Sequence, residues 1–407
     1  MTLAESRARD AADPLGFARD RFDLPEGVIY LDGNSLGAPP KAVADRLRAV
    51  VAGQWGADLI TSWNKHGWID WPQRIAAKLA PIVGAAADEL LIADSTSVNL
   101  FKLLGAALAA RPDRSVILSE EGNFPTDLYV AEGLRRLRPG VEIRTVARDR
   151  IAAALDETVA VLMLTHVDYR SAQRHDMAAL NAAARAAGAL TLWDLSHSAG
   201  VLDLDLSGSA ADLAVGCGYK YLNGGPGAPA FLFVARHLQP GLINPVPGWM
   251  GHAAPFDFDP GYRPRDGIGR FLTGTPPIIS LAALEAGFDT FGGIAMAAVA
   301  AKTRALTDFF IACVEERCPG VTLGSPRDAK ARGGHVIFTH PGGYAVVQAL
   351  IARGIVGDFR APDQMRFGFA ALYNGFVDAW TAAEAMGDLL DSGAWDRPEF
   401  HARARVT

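Results

Sequence analysis

The sequence predicts an α/β protein with a mostly parallel central sheet in a larger domain and a smaller α+β domain beside it. From about residue 42 to 280, short apolar runs alternate with longer alanine-rich stretches. Strands that are apolar on both faces, separated by helices, imply a parallel sheet covered on each side. After residue 281 the rhythm changes to a long helical stretch, a strand His335-Val336-Ile337-Phe338 and a final helix from about Val377. A chain of 407 residues, 50% of them hydrophobic, can bury cores of this size. Residues 42–280 are assigned to the larger domain, and 1–41 with 281–407 to the smaller.

The elements follow in order. Leu90-Leu91-Ile92 is a short strand, and Asp94-Ser95-Thr96-Ser97 after it opens a helix. Those hydroxyls serve either as plain N-caps or, with the free amides of the first turn, as a site for a phosphate. Val116-Ile117-Leu118 is the next strand, ending near Asn123-Phe124-Pro125-Thr126-Asp127, where Phe124 suits core packing or stacking on a flat heterocycle equally. Val159 to Thr165 is a third strand. Met177 to Ala187 reads as a helix started by Asp176 and stopped by Gly188. The strand Ala189 to Trp193 runs into Asp194, and the run Ala214 to Cys217 leads into the glycine-rich turn 218–227, then into Phe231 to Val234. The proline- and glycine-rich stretch from Pro240 to Pro277 is too long for a plain connector.

Lys220 lies in that glycine-rich turn, where a bound carbonyl compound can reach its amine and the glycines let a flat ligand approach the backbone. Ligands of parallel sheets sit outside the carboxyl ends of the strands, where Thr165, Asp194 and Lys220 all fall. An aspartate at one strand end and a lysine one βαβ step later is what pyridoxal phosphate requires. The amine condenses with the aldehyde, and the carboxylate keeps the pyridine nitrogen protonated. Singly, each residue is better read as a solvated turn lysine or a helix-capping aspartate; the pair in this order favours the cofactor.

Composition narrows the class. Thirty-nine basic against forty-five acidic residues, net −6 with no long single-sign run, argue against a nucleic-acid surface. The basic tail His401 to Arg405 reads as a frayed terminus. Three cysteines (Cys217, Cys313, Cys318) make no disulfide framework and no metal-spaced cluster, so no metal is expected and a reducing cytoplasm is. The N-terminus lacks the apolar core of a signal peptide, and no stretch has membrane-spanning character, so no membrane partner is expected.

The chain resembles kynureninase, a fold-type-I pyridoxal-phosphate enzyme of the aminotransferase class V superfamily. The matching stretches are Leu31-Asp32-Gly33-Asn34-Ser35-Leu36-Gly37, Asp94-Ser95-Thr96-Ser97-Val98-Asn99-Leu100, Phe124-Pro125-Thr126-Asp127 and Asp194-Leu195-Ser196-His197. They continue with Gly218-Tyr219-Lys220-Tyr221-Leu222-Asn223, Gly248-Trp249-Met250-Gly251-His252, Gly274-Thr275-Pro276-Pro277 and Met365-Arg366 with Leu372-Tyr373-Asn374. They span nearly the whole chain. The residues after Arg366, Phe367-Gly368-Phe369-Ala370-Ala371, depart from the family's valine- and proline-containing run.

The resemblance implies the pyridoxal-phosphate-dependent transferase fold of type I and hydrolysis of L-kynurenine to anthranilate and L-alanine, a step of tryptophan catabolism. It implies that Lys220 carries the cofactor, Asp194 pairs with its ring nitrogen, and Thr96, Ser97, Tyr219 and His197 hold it. Phe124 would lie over the ring, with Asp127 and Thr165 beside it. Trp249 and Thr275 match positions that reach the phosphate from a partner subunit, which implies a homodimer with a shared site. Arg366 matches the arginine that grips the substrate carboxylate, and Ser35, Trp63 and His66 are further substrate candidates. Tyr219 is the candidate proton donor. A wall containing Trp63 and Thr275 implies a preference for L-kynurenine over 3-hydroxykynurenine, with His66 as the group that would oppose it. His166 and Asp168 read as structural. The rival readings are a cysteine desulfurase or transaminase of the same superfamily and, from another class, a non-catalytic ligand-sensing module. A desulfurase needs a mobile active-site thiol, whereas Cys313 and Cys318 fall in a helical segment.

Overall fold

The apolar runs pair into one seven-stranded sheet, as periodicity requires of strands that must be covered on both faces. The computed structural model describes residues 1–403. Its strands are β1 (Ile29–Tyr30), β2 (Leu90–Ile92), β3 (Val116–Glu120), β4 (Glu142–Val146), β5 (Val159–Thr165), β6 (Leu190–Asp194), β7 (Leu213–Gly216) and β8 (Phe231–Val234). They continue with β9 (Thr322–Leu323), β10 (His335–Thr339), β11 (Ile355–Val356), β12 (Asp358–Arg360) and β13 (Gln364–Gly368).

The large sheet has the order β2-β8-β7-β6-β5-β3-β4. Every residue of β5, β6, β7 and β8 is buried, while the edge strand β4 is partly exposed. Strands β3 to β7 pair in parallel, and β8 is antiparallel to both β7 and β2. The reversal has a local cause. Residues 217–230 contain no helix, so the chain turns straight back beside β7 instead of crossing over. That return carries Lys220.

Helices on the sheet start where side chains satisfy their first amides. Asp176 accepts from the amide of Ala179 at 3.0 Å and caps Met177–Ala186, which ends one residue before the expected Ala187. Ser95 caps Thr96–Ala110 through the Val98 amide. Pro125 begins Pro125–Leu137, its fixed φ suited to a first helical position.

Strands β12-β13-β10-β9 form a separate antiparallel sheet. It packs under helices Met296–Arg317 and Phe376–Ser392 around Phe310, Phe338 and Phe367. β1 pairs in parallel with β11, which ties the N-terminal segment to this lobe. Helix Ile278–Asp289 crosses the residue-280 boundary, and its Leu281, Leu284 and Phe288 join the same apolar cluster as Ile75 and Leu79. The stretch 240–277 is pinned: Arg270 is buried, and its Nη1 donates to the carbonyls of Gln239 and Leu242 at 2.6 and 3.2 Å.

The C-terminal tail departs from expectation. His401 ends a short helix and bonds Asp396 at 2.8 Å, and the Arg403 guanidinium stands 4.1 Å from the Tyr344 ring centre. Those contacts give residues 401–403 a seat; Ala404 and Arg405 lie outside the described residues. Among the described residues, no helix is long and apolar enough to cross a membrane.

Candidate active site

Thr165 and Asp194 are the last residues of β5 and β6 and stand opposite each other in the parallel register. Asp194 is buried and accepts the amide of Ser196 at 2.8 Å. Burial pushes its carboxyl above the ordinary carboxylate range, and the nearby Lys220 partly offsets this. A buried carboxyl of this kind calls for a cationic N–H partner.

The turn after β7 aims Lys220 into the same space. Its carbonyl accepts the Asn223 amide at 2.8 Å, and the Gly218 carbonyl accepts the Gly224 amide at 2.9 Å. Asn223 has φ 58, a left-handed conformation that asparagine tolerates better than most residues. From the N-terminal segment, the Gly37 amide donates to the Tyr219 carbonyl at 2.8 Å. A Cβ at Gly37 would sit 2.3 Å from the Lys220 carbonyl oxygen, so only glycine permits this approach.

The half-buried Lys220 places Nζ 3.1 Å from Nε2 of His197. Burial and then the Lys220 charge hold His197 well below the usual imidazole range, so it is neutral. Asp127 accepts from Asn123 Nδ2 at 3.1 Å and from the Thr165 hydroxyl at 3.3 Å, while Asn123 Oδ1 accepts the Thr165 amide at 2.7 Å. Burial, then the charge of Asp194, raises Asp127 well above its ordinary range. Two buried carboxyls thus share one neighbourhood with one lysine. Phe124 is half-buried and meets Tyr169 edge-on, ring centres 5.2 Å apart.

Thr96 and Ser97 form the first helical turn after β2, which runs in the same direction as β7. Their amides and hydroxyls offer the N-terminal anion site that a phosphate uses. The exposed aromatic ring of Tyr219 stands 5.8 Å from Lys220 Nζ. Burial, then Cys217 and Asp194, raise its phenol, which stays protonated at neutral pH. These residues fit pyridoxal phosphate: a lysine amine, an unneutralised buried carboxyl and a helix start all follow the carboxyl ends of strands in one sheet.

Arg366 is buried to 1% exposure, and its donors are largely taken. Nε donates to Asp358 Oδ1 at 2.7 Å, Nη2 to Asp358 Oδ2 and to Ser35 Oγ, and Nη1 to the Tyr169 carbonyl at 2.9 Å. Asp358 and the neighbouring Arg360 were not singled out from the sequence. A lone Asp-Phe-Arg carries no local signal; only the β12–β13 register sets Asp358 opposite Arg366.

Other expected residues sit elsewhere. Trp63 packs edge-on against Trp68 with ring centres 5.7 Å apart, and His66 Nε2 is engaged by Asp58 at 2.8 Å. None of the hydrogen bonds or ring contacts of Trp63 and His66 among the described residues reaches Lys220, Asp194 or Arg366. Trp249 is 40% exposed beside Phe256, and Thr275 is exposed. His166 is buried, bonds Ser198 at 2.9 Å and is lowered to about 3 by burial; Asp168 binds the amides of its own turn. Each is thus held by hydrogen bonds within its own neighbourhood.

The chain is similar to known proteins in both sequence and fold. The family model of the kynureninase C-terminal domain matches residues 299–386. A kynureninase of Burkholderia mallei (strain SAVP1) is 51% identical over 414 residues, covering 100% of each chain, and one of Pseudomonas fluorescens is 49% identical with the same coverage. An apo cysteine desulfurase from Thermococcus onnurineus NA1 superposes with TM-score 0.78 at 20% identity, over 93% of this chain and 98% of its own. A C-DES mutant with glycine covalently linked to its pyridoxal-phosphate cofactor gives TM-score 0.77 at 18% identity, over 90% and 98%. The last two likenesses concern the fold alone.

Proposed function

Because the chain belongs to the kynureninase family, we propose that it hydrolyses L-kynurenine to anthranilate and L-alanine with pyridoxal phosphate as cofactor. The observation that carries this reading is the convergence of Lys220, His197 and Asp194 at the carboxyl ends of β6 and β7. When bound, the cofactor supplies an electron-accepting ring.

The protein's residues do the rest. Asp194 holds the proton on the ring nitrogen, and Thr96 and Ser97 hold the phosphate. Phe124 and Thr165 confine the ring, with Asp127 beside Thr165. Arg366, through the Nη1 hydrogen not committed to Asp358, Ser35 or Tyr169, would orient the substrate carboxylate, with Ser35 beside it. The Lys220 amine takes the proton from the substrate Cα. Water adds to the side-chain carbonyl carbon, the Cβ–Cγ bond breaks to give anthranilate, and Cβ takes up a proton to give alanine. Tyr219, kept protonated, is the proposed donor.

A homodimer is proposed as the working unit. Trp249 and Thr275 are exposed in a single chain, as are Trp55, Leu59, Ile60 and Ile279, and a partner would turn these surfaces inward. Residues 42–280 are proposed as the cofactor-binding domain, with 1–41 and 281–407 as the domain that supplies Ser35 and Arg366. Cys217, Cys313 and Cys318 are free and buried, which suits a reducing cytoplasm and leaves no exposed thiol among them for desulfurase chemistry.

Substrate choice is the finer part of the proposal. Within one chain Trp63 and Thr275 lie away from Lys220, so in the proposed homodimer they would have to complete the ring pocket across the subunit boundary, offering an apolar face and one small hydroxyl, while Asp58 already occupies His66 Nε2. Such a wall disfavours an added hydroxyl weakly, by about ten- to a hundredfold. Comparing kcat/KM for L-kynurenine and L-3-hydroxykynurenine tests this; equal or reversed values would overturn the preference and leave the cofactor assignment standing.

A further inference from the structure

His335 is a buried histidine set beside His197 that takes no part in the proposed reaction. His335 opens β10 opposite Gly368 and is 0% exposed. Neither of its ring nitrogens has a hydrogen-bond partner, and Nδ1 of His197 has none either. The two rings lie 5.4 Å apart between centres, tilted by 51°. Two imidazoles joined edge to edge by an N–H···N bond of about 3 Å have centres roughly 5 Å apart. The spacing therefore leaves room for one hydrogen bond between the two rings. A half-turn of the His335 ring exchanges nitrogen for carbon without changing its outline, so the bond needs no backbone movement.

The charges decide the direction of the bond. His197 faces Lys220, Arg366 and Arg360, and His335 faces Arg366 and Lys220, so burial among cations keeps both rings neutral. His197 Nε2 faces Lys220 Nζ, whose hydrogens can only be donated to a bare nitrogen. The proton of neutral His197 is then on Nδ1, on the side of the ring where a partner is missing. A neutral imidazole carries a single proton, which leaves the other nitrogen of His335 as the acceptor.

We propose that His335 is a positioning residue for Lys220: it accepts Nδ1–H of His197 and so fixes the tautomer that turns a bare Nε2 toward the lysine amine. The role of Lys220 rests on the reading above, but the His197–His335 bond is a property of the apoprotein and stands or falls separately from the substrate.

The test uses histidine-selective 15N labelling of the apoprotein and a long-range 1H–15N spectrum, with His335→Phe and His335→Gln alongside. The expected result is His197 in the Nδ1–H form in the native protein between about pH 6 and 8. In His335→Phe that tautomer is lost or mixed, and the pH midpoint of the visible band of the cofactor-loaded protein moves by about half a unit or more. His335→Gln, which keeps an acceptor, restores both. An Nε2–H tautomer in the native apoprotein overturns the proposal without any variant. So does a folded His335→Phe protein whose tautomer and midpoint are unchanged.

Discussion

The carboxylate of Asp358 and the guanidinium of Arg366 form a two-point pair across the β12–β13 register, with neither side chain more than 2% exposed. Ser35 closes the ring by donating to Asp358 at 2.9 Å and accepting from Arg366 at 2.8 Å. The pair links the N-terminal segment to the small sheet. Removing one member leaves a buried charge without its partner, at a cost of about 3–5 kcal/mol. Asp358→Ala should therefore lose unfolding free energy of that order in urea titration. A loss below about 1 kcal/mol would mean that the pair does not hold these elements together.

Lys220→Ala should abolish turnover and the visible absorbance of cofactor held through the lysine amine. Pyridoxal phosphate should still associate through the Thr96–Ser97 helix start, and dialysis should then remove it. Retention of both the band and activity would contradict the assignment of Lys220.

Asp32 predicts a pH effect on stability. Burial, then the charge of Asp358, raises its carboxyl to about 7. A folded-state value above the unfolded one stabilises the protein fully below the unfolded value, and that contribution is lost as pH rises through about 7. His166, lowered to about 3, acts in the opposite sense: its contribution is present above the unfolded histidine value and is lost as pH falls. Asp32→Asn should flatten the loss of apoprotein stability between about pH 4 and 7 while leaving the acid-side loss in place. An unchanged slope in thermal melts across that window would remove Asp32 as its source.

A site shared between two chains, as proposed, predicts complementation. An inactive Lys220→Ala chain mixed with an inactive Trp249→Ala or Thr275→Ala chain should regain part of the activity, because one hybrid site contains every residue. No recovery after mass spectrometry has verified subunit exchange would count against a site built from two chains.

The alternation that makes the large sheet, and the strand ends that carry Thr165 and Asp194, could be read from the sequence because each is a local pattern. Lys220 was legible for the same reason: its turn glycines adjoin it. The reversal of β8 was not read, since an apolar run has no direction; the missing helix in residues 217–230 held that signal. Asp358 and His335 escaped because the fold sets their partners: Arg366 meets Asp358 only through the β12–β13 register, while Ser35 and His197 are remote in sequence. A buried histidine inside His335-Val336-Ile337-Phe338 looks like any strand residue until the fold sets its ring beside His197. The seating of Arg403 on Tyr344 also depends on the fold, which is why the tail read as frayed up to that point.

The most direct measurement is turnover of L-kynurenine by the purified protein loaded with pyridoxal phosphate, following anthranilate by fluorescence and alanine by a coupled assay. One anthranilate and one alanine per substrate consumed, with no sulfide from L-cysteine under the same conditions, is the result the account predicts. Sulfide release without anthranilate, or no anthranilate from protein whose visible band shows bound cofactor, would contradict it.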